Sequence, residues 1–341
     1  MSFRASGKGA ATLAPGVRPR EVWAWAMYDF ANSGYTTVVV TAVYIAYFVA
    51  EIAGNAAWAT LAWTLALAVS NLLVIVTAPA LGAYADARAA KKRLLGATTA
   101  GCVLFTAALS LTGRGDVGLA FVLVALSSFF FGSGENLVAA FLPELGREEG
   151  LGRISGWGWS LGYVGGLVSL GASLAYVSAA QAHGAAASAF VPGSMLITAA
   201  IFALASLPTF FFLRERAVPT GSATGFAASA SSRLRDTIRH ARRYRDFKRF
   251  LACLVFYQAG IQAVVALAAI YAQQAMGFTT RDTLLLVLVV NVTAAVGAFL
   301  FGQVQDRLGH VRTIIVTLLG WLLTVVLAWA AQGEALFWIA A

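Results

Sequence analysis

The sequence predicts an all-α protein that crosses a lipid bilayer many times. Of its 341 residues, 60% are hydrophobic and only 11% are charged, whereas about a quarter of the residues in a soluble domain are charged. The apolar residues form runs of about 20 or more, which is the length that a helix needs to cross roughly 30 Å of hydrocarbon. The composition therefore excludes a water-soluble globular protein.

Nine apolar segments are long enough to be predicted membrane spans. Numbered in chain order, they lie near residues 22–50, 58–81, 94–112, 118–142, 154–178, 193–213, 250–272, 283–302 and 313–331. A tenth apolar segment begins at Ala335 and reaches only Ala341, which is too short to span. The predicted organisation is a cytoplasmic tail (1–21), a six-helix bundle (22–213), a basic cytoplasmic linker (214–248) and an incomplete second bundle (249–341).

The basic residues predict the orientation of these spans. When successive connections alternate between the two sides, 22 of the 24 Lys and Arg residues fall on one side, and only Arg114 and Arg281 fall on the other. The positive-inside rule places the 22 in the cytoplasm together with the N-terminus. The net charge of +9 thus indicates topology rather than a nucleic-acid partner. We expect a multi-pass protein of a bacterial inner (plasma) membrane.

The basic linker admits two interpretations. From Ser231 to Phe247, apolar residues recur at helical spacing among many arginines, as in a helix that lies on the anionic inner leaflet. The other interpretation is a solvated basic linker that only fixes the topology.

The two halves of the chain carry an internal repeat. The loops after span two and span eight lie 220 residues apart, on the predicted cytoplasmic side. Duplicated bundles of helices are a common architecture of transporters. The loops share a Gly-x-x-x-Asp pattern followed by basic residues, with Gly82, Asp86 and Arg88 in the first copy and Gly302, Asp306, Arg307 and Gly309 in the second.

This repeat resembles the signature loop of the major facilitator superfamily, Gly-x-x-x-Asp-Arg-x-Gly followed by basic residues. The second copy matches it, whereas the first has Ala87 and Ala89 in place of Arg and Gly. Residues 25–33 (WAMYDFANS), 141–145 (FLPEL) and 155–166 (SGWGWSLGYVGG) resemble the vacuole-effluxer-like branch, also called the unknown major facilitator family. The resemblance covers essentially the whole chain and implies a major facilitator fold.

The resemblance implies a secondary active transporter that moves a small polar solute by alternating access. Because the fungal members of the branch are amino-acid effluxers, it also implies amino-acid efflux. A complete member has twelve spans, and the repeat offset places the end of a full second half about 90 residues beyond Ala341. The alternative hypothesis is therefore a truncated, transport-inactive membrane protein with a partner or regulatory role.

Two carboxylates are the candidate coupling residues. Asp29 and Glu135 lie well inside predicted spans, where an ionised side chain costs about 2.5 to 3.5 kcal/mol. Both are roughly 10 Å deep from the cytoplasmic side, so we expect them to share a cavity and bind a proton or another coupling ion. Local hydrogen bonding within the bundle is the alternative role. By the resemblance, spans one, four, seven and ten line the cavity, and the further polar candidates are Tyr28, Asn32, Asn136, Tyr257, Gln258 and Gln262.

The sequence departs from the branch at two places in these spans. Span seven has Tyr257-Gln258 without the acidic residue that usually follows the tyrosine, and Val138-Ala139 replaces a Tyr-Asn pair in span four. Coupling chemistry is therefore not carried over from relatives at these positions.

A stripe of small residues marks span five. Its members are spaced three or four residues apart, which predicts close helix packing, a sliding seam between the halves, or both: Gly158, Gly162, Gly165 and Gly166.

The signature loops are predicted to latch the cytoplasmic gate. As the resemblance implies, Asp86 meets span eleven, and Asp306 meets the electropositive N-terminal end of span five near Ile154. We expect Arg307 beside Asp306, within reach of Glu144 or Glu148.

No motif points to an enzyme, a metal or a cofactor. The three histidines lie outside the spans without metal-binding spacing, and the glycine-rich run lies inside a predicted membrane helix. Cys102 and Cys253 lie within predicted spans and have no CxxC spacing. The expected partners are a small solute, a coupling ion and the lipid bilayer.

Overall fold

The structure, a computed structural model, describes residues 12–219, 244–278, 280–331 and 333–340. We number its main helices in chain order: α1 Pro19–Ile52, α2 Ala59–Arg88, α3 Lys91–Leu111, α4 Val117–Ala139, α5 Leu151–Ala182, α6 Ala187–Phe212, α7 Arg245–Gln274, α8 Thr280–Leu308, α9 His310–Ala330 and α10 Glu334–Ala340. A one-turn helix, Leu142–Leu145, and a 3-10 turn, Glu148–Gly150, join α4 to α5. Within the described ranges the only β pairing is an isolated bridge between Leu13 and Gly146. The predicted all-α fold is confirmed.

The helices correspond in order to the predicted spans. Eight segments of the described chain are long and apolar enough to cross a membrane, and they fall on α1 to α6, α8 and α9. The helix that corresponds to span seven, α7, has 30 residues but is not one of the eight. It begins at Arg245, inside the predicted linker, and its first turn is charged. Residues 220–243 of the linker, with most of the predicted surface helix, lie outside the described residues.

Side chains are distributed as expected for helices in lipid. Large apolar residues point outward, such as Ile75 at 69% exposure and Trp329 at 81%. The buried contacts between helices use small and hydroxyl residues instead, among them Ser169, Ser194 and Thr209, each 0% exposed. Such residues let helices approach closely where lipid supplies no hydrophobic force between them. The buried hydroxyl of Thr209, for example, donates to the carbonyl oxygen of Ala24 at 2.7 Å and joins α6 to α1.

Buried tyrosines join the long first helix to its neighbours. The α1 segment begins with Pro19, whose missing N–H is not needed in a first turn, and it contains π-helical turns at Thr36–Ala42 and Phe48–Ile52. The hydroxyl of Tyr35 lies 2.8 Å from Ser127 Oγ of α4, and that of Tyr44 lies 2.8 Å from Thr112 Oγ1. These hydrogen bonds satisfy polar groups that could not bind water inside a bilayer.

The chain that leaves α6 is fastened to the start of α3. Glu215 accepts hydrogen bonds from the backbone N–H groups of Lys91 at 2.7 Å and Lys92 at 3.2 Å. Because Ala90, at the N-cap of α3, has no side-chain acceptor, the carboxylate of Glu215 satisfies amides that would otherwise be unpaired.

The next residue, Arg216, connects two further segments. Its guanidinium pairs with Glu21 in the first turn of α1, with 2.8 Å between Nη2 and Oε2. Its backbone N–H donates to Glu144 at 2.9 Å, and Glu144 also pairs with Lys91 at 2.8 Å. We call the residues Glu21, Lys91, Glu144, Glu215 and Arg216 the linker clamp, because together they hold the beginning of the connection between the halves.

The orientation of the helices gives a labelling prediction. Ala186, between α5 and α6, and Val218, after α6, are both exposed, and the 22-to-2 split of basic residues places them on opposite sides of the membrane. In a background in which the exposed Cys253 is replaced by serine, a membrane-impermeant thiol reagent should modify Ala186→Cys in intact cells and leave Val218→Cys unmodified. Labelling with the opposite preference would reverse the predicted topology.

Candidate functional site

Helices α1 and α4 bring the two membrane carboxylates close together. The helices are joined by Trp25, whose Nε1 donates to the carbonyl oxygen of Val138 at 2.8 Å. On the neighbouring turns, Asp29 and Glu135 are near enough for their charges to interact. Two anions in a medium of low dielectric constant repel each other strongly.

The carboxylate of Asp29 lies against α5. A Cβ atom placed on Gly158 would overlap Asp29 Oδ2 and would lie 2.7 Å from Trp25 Cζ3. The glycine therefore provides the space that the carboxylate occupies, and any larger residue at position 158 would displace it.

Asn32 adds an unsatisfied amide one turn further along α1. The residue is 5% exposed, and among the described residues neither Oδ1 nor Nδ2 has a hydrogen-bond partner. Buried polar groups are nearly always hydrogen-bonded, so this amide is available to bind a solute or water. Glu135 and Asn136 are exposed on α4.

Tyr28 lies inside the first bundle, away from the other candidates on α1, and a role for it in solute binding stays a prediction. This residue is 1% exposed, its hydroxyl lies 2.9 Å from Thr99 Oγ1 of α3, and its ring meets Phe202 of α6 edge to face. Tyr28 is therefore a packing residue inside the first bundle, on the other side of α1 from Gly158.

The three candidates on α7 are not packed against the carboxylates. In the described structure α7 is sparsely packed, and its main neighbours are α8 and α9. Gln258 and Gln262 are exposed and Tyr257 is half-buried. A role for these side chains in solute binding stays a prediction.

The predicted glycine stripe of α5 forms the interface with α1. A Cβ atom on Gly162 would lie 2.8 Å from Ser33 Oγ, and one on Gly166 would lie 2.8 Å from Thr37 Oγ1. On Gly165 a Cβ atom would overlap the carbonyl oxygen of Phe30 and would lie 2.6 Å from its Cα. At this level the two backbones are in direct contact, as in other membrane helix pairs with small residues.

Gly165→Ala should therefore destabilise the protein by about 1 to 3 kcal/mol, which is typical of overpacking. The added methyl group meets backbone atoms, which cannot move without separating α1 from α5. Gly171→Ala is the matched control on the same helix, because a Cβ atom there would have no neighbour within 4 Å. Unfolding by SDS in mixed micelles measures both variants, and an equal loss of stability in the two would contradict the direct contact.

Both copies of the repeat have a residue with positive φ directly after the helix. After α2, Ala89 adopts a left-handed conformation with φ of 48°, and after α8, Gly309 has φ of 82°. A left-handed residue commonly ends a helix, and glycine is favoured there because a Cβ atom costs about 1 kcal/mol or more. Ala89 has ψ of 53°, in the left-handed helical region, whereas Gly309 has ψ of 156°, a conformation that essentially only glycine adopts. In the first copy the Arg88 guanidinium lies over the ring of Tyr84, at 5.7 Å.

The second copy meets α5 through backbone contact and a carboxylate. A Cβ atom on Gly302 would lie 2.7 Å from Gly152 O and 3.0 Å from Gly156 Cα, so glycines of both helices meet. Asp306 accepts a hydrogen bond from the backbone N–H of Arg153 at 3.1 Å. Its side chain is 5% exposed, and its Oδ2 lies 3.7 Å from Arg153 Nε. Asp306 is thus at the start of α5, where unpaired amides and the helix dipole favour an anion.

The environment of the neighbouring arginine differs from the prediction. Among the described residues, no ion pair joins Arg307 to Glu144 or Glu148. Glu144 binds Lys91 and Arg216 in the linker clamp, and Arg153 is the cation beside Asp306. The predicted partner of Asp86 is on a span that would follow residue 341, so that contact stays a prediction. Arg153 was not among the predicted site residues, because no motif distinguishes it from the other arginines on the same side of the protein.

Comparisons with known proteins agree with this geometry. The model of the family described as "Vacuole effluxer Atg22 like" matches residues 150–335, more than half of the chain. An uncharacterized MFS-type transporter of Bacillus subtilis (strain 168), YxiO, is 27% identical over 322 residues, which cover 93% of this chain and 75% of that protein. The proton:xylose symporter XylE, solved with bound 6-bromo-6-deoxy-D-glucose, shares the fold with a TM-score of 0.58 and 15% identity, over 84% of this chain and 70% of XylE. The predicted resemblance is confirmed, and the chain belongs to the vacuole effluxer Atg22-like family of major facilitator superfamily transporters.

Proposed function

We propose that this protein exports an amino acid in exchange for protons. Secondary transport follows from its family, and the pairing of Asp29 with Glu135 on adjacent membrane helices is the observation that supports proton coupling. Ionisable residues inside a bilayer are costly, and in transporters they mark ion and substrate pathways.

The chemistry of the site fits a zwitterionic solute. The ammonium group of an amino acid would make charge-assisted hydrogen bonds with the carboxylates of Asp29 and Glu135. The unpartnered Asn32 amide can donate to a solute carboxylate or accept from its amine. Because a proton neutralises the same carboxylates that bind the ammonium group, protons and solute compete, and competition for one site is what an exchanger requires.

Alternating access supplies the movement. In this proposal the halves, residues 22–213 and 249–341, rock about the site, and the contact of α5 with Gly302 and Asp306 of α8 closes the cytoplasmic side. A carboxylate at a helix N-terminus contributes about 0.3 to 1 kcal/mol when exposed and up to about 2 kcal/mol when partly buried. Such a contribution is large enough to bias a two-state gate and small enough to be broken in each cycle.

Purified protein in liposomes with an imposed pH gradient tests the proposal. We expect at least one labelled amino acid from a panel of the twenty to move against the direction of the proton gradient, and dissipation of the gradient with an ionophore to stop its accumulation. If the gradient drove the movement of sugars but not of amino acids, sugars would replace amino acids as the proposed substrate class. Failure to transport any solute would overturn the proposal and favour the transport-inactive alternative.

A further inference from the structure

An extended N-terminal segment crosses the connection between α4 and α5. The carbonyl oxygen of Thr12 accepts from the backbone N–H of Arg147 at 3.1 Å, and the N–H of Ala14 donates to Leu145 O at 3.0 Å. Between them, Leu13 forms the isolated β bridge with Gly146. We call residues 12–18 the N-terminal strap, because they pass over this connection before α1 begins at Pro19.

The strap is attached at both of its ends. At one end, the carbonyl oxygen of Gly16 accepts from Arg216 Nη2 at 3.3 Å, which ties the strap to the linker clamp. At the other end, Thr12 is 7% exposed and is packed on Gly150. A Cβ atom on Gly150 would overlap Thr12 Cγ2 and would lie 2.6 Å from the Thr12 carbonyl oxygen. Thr12 therefore occupies a position that is open only because residue 150 is glycine.

Arg153 connects Thr12 with the contact between the halves. Its Nη1 donates to Thr12 Oγ1 at 3.1 Å, while its backbone N–H and its Nε face Asp306 Oδ2 at 3.1 and 3.7 Å. The Arg153 side chain is 27% exposed, whereas that of Asp306 is 5% exposed. Without an anchor, a flexible and partly exposed guanidinium can turn toward water, because arginine has large rotamer entropy. The Thr12 hydroxyl provides this anchor.

The consequence for Asp306 is electrostatic. A carboxylate that is almost fully buried requires compensating charge and hydrogen bonds. The backbone amide at the start of α5 is fixed, but the guanidinium compensates Asp306 only when it is oriented toward it. Holding Nη1 on the strap keeps Nε beside Asp306.

We propose that Thr12 is a positioning residue for the cytoplasmic gate. By orienting Arg153, it strengthens the contact between Asp306 and α5 and favours the state that is closed to the cytoplasm. The inference rests on the gating part of the proposed function and goes beyond it by assigning the strap a regulatory role. Coupling is reciprocal, so the closed gate also stabilises the strap.

Distances between spin labels on the two halves test the inference in the full-length protein in liposomes. Labels at Glu148→Cys and Arg312→Cys, two exposed cytoplasmic positions, are introduced with Cys253→Ser and measured by pulsed electron paramagnetic resonance. Thr12→Val keeps the packing on Gly150 and removes the hydroxyl. We expect it to lower the ratio of closed to open populations about five-fold, which matches the net contribution of one typical hydrogen bond. Thr12→Ser should restore the ratio.

A double-mutant cycle distinguishes positioning from a general structural role. If Thr12 acts through Arg153 on Asp306, Thr12→Val should have no further effect on the populations in an Asp306→Asn background. Gly150→Ala should displace the strap and act like Thr12→Val, whereas Pro15→Ala, at an exposed strap position, should change nothing. Additive effects of Thr12→Val and Asp306→Asn would overturn the inference.

The distance measurement does not depend on transport. Unchanged populations in Thr12→Val, together with a shift in Asp306→Asn, would refute the role of Thr12 and leave the gate intact. Unchanged populations in both variants would refute the gate itself. Absence of amino-acid transport with the expected population shifts would refute only the proposed substrate and coupling.

Discussion

Asp29→Asn should abolish amino-acid accumulation driven by a pH gradient, while solute exchange across the same membrane continues with a raised KM, because Glu135 still binds the ammonium group. Asparagine has nearly the shape of aspartate and fits the space beside Gly158, but it can neither bind a proton nor carry a charge. The charge interaction with Glu135 is lost, so movement of solute is no longer linked to movement of protons. Gradient-driven transport and counterflow, measured in the same liposomes, separate these two activities.

The matched control is Asp116→Asn. Asp116 lies in the loop between α3 and α4, where its Oδ2 accepts from the backbone N–H of Gly113 at 2.9 Å. The same chemical change there should leave both activities intact. Retention of gradient-driven accumulation in Asp29→Asn would remove Asp29 from the coupling site, and complete loss of exchange would show that Glu135 cannot bind the solute without Asp29.

The helices and the contact of Asp306 with α5 were predictable because each is marked by a recognisable pattern in a short stretch of sequence. Inside a bilayer, an apolar run of about 20 residues can pair its backbone N–H and C=O groups by itself only as a helix. Every predicted span accordingly appears as a helix in the described structure. The position of Asp306 at the start of α5 followed from the resemblance, since the signature loop of one half is expected to meet the fifth helix of the other half.

The candidate site was only partly predictable because helix rotation is weakly encoded in a membrane. Tyr28 and Asp29 are neighbours in sequence, yet one is buried against α3 and α6 and the other lies beside Gly158 of α5. In a soluble protein the apolar stripe would distinguish the two faces. In lipid both faces of α1 are apolar, so the polar cluster around Asp29 did not show which members share a surface.

The linker clamp and the strap were missed for a different reason. Their contacts join residues far apart in the chain, such as Glu21 with Arg216 and Thr12 with Arg153. Basic residues are common on the whole predicted cytoplasmic side because they determine topology. The abundance of basic residues on this side therefore gives no indication of which arginine is paired with a buried carboxylate.

Arg216→Ala should lower the free energy of unfolding by about 3 kcal/mol, near the lower end of the range for removing one partner of a buried ion pair. The Glu21 side chain is 2% exposed, and that of Arg216 is 26% exposed. Removing the guanidinium leaves the carboxylate buried, with the backbone N–H of Arg18 at 3.1 Å as its remaining hydrogen bond. The partial exposure of Arg216 is the reason that the expected loss is not larger. Unfolding by SDS in mixed micelles, followed by circular dichroism, measures the change.

Arg214→Ala is the control for this prediction. Arg214 lies two residues earlier in the same segment and is exposed, so its replacement removes the same charge without breaking the pair with Glu21. It should change the free energy of unfolding by less than about 0.5 kcal/mol, as is usual for surface substitutions. Arg216→Lys should recover part of the stability, because the ammonium group restores the charge but not the planar set of donors that also reaches the carbonyl oxygens of Arg214 and Gly16. Equal stability of the Arg214 and Arg216 variants would show that the contact with Glu21 does not stabilise the fold and that only the net charge of the segment matters.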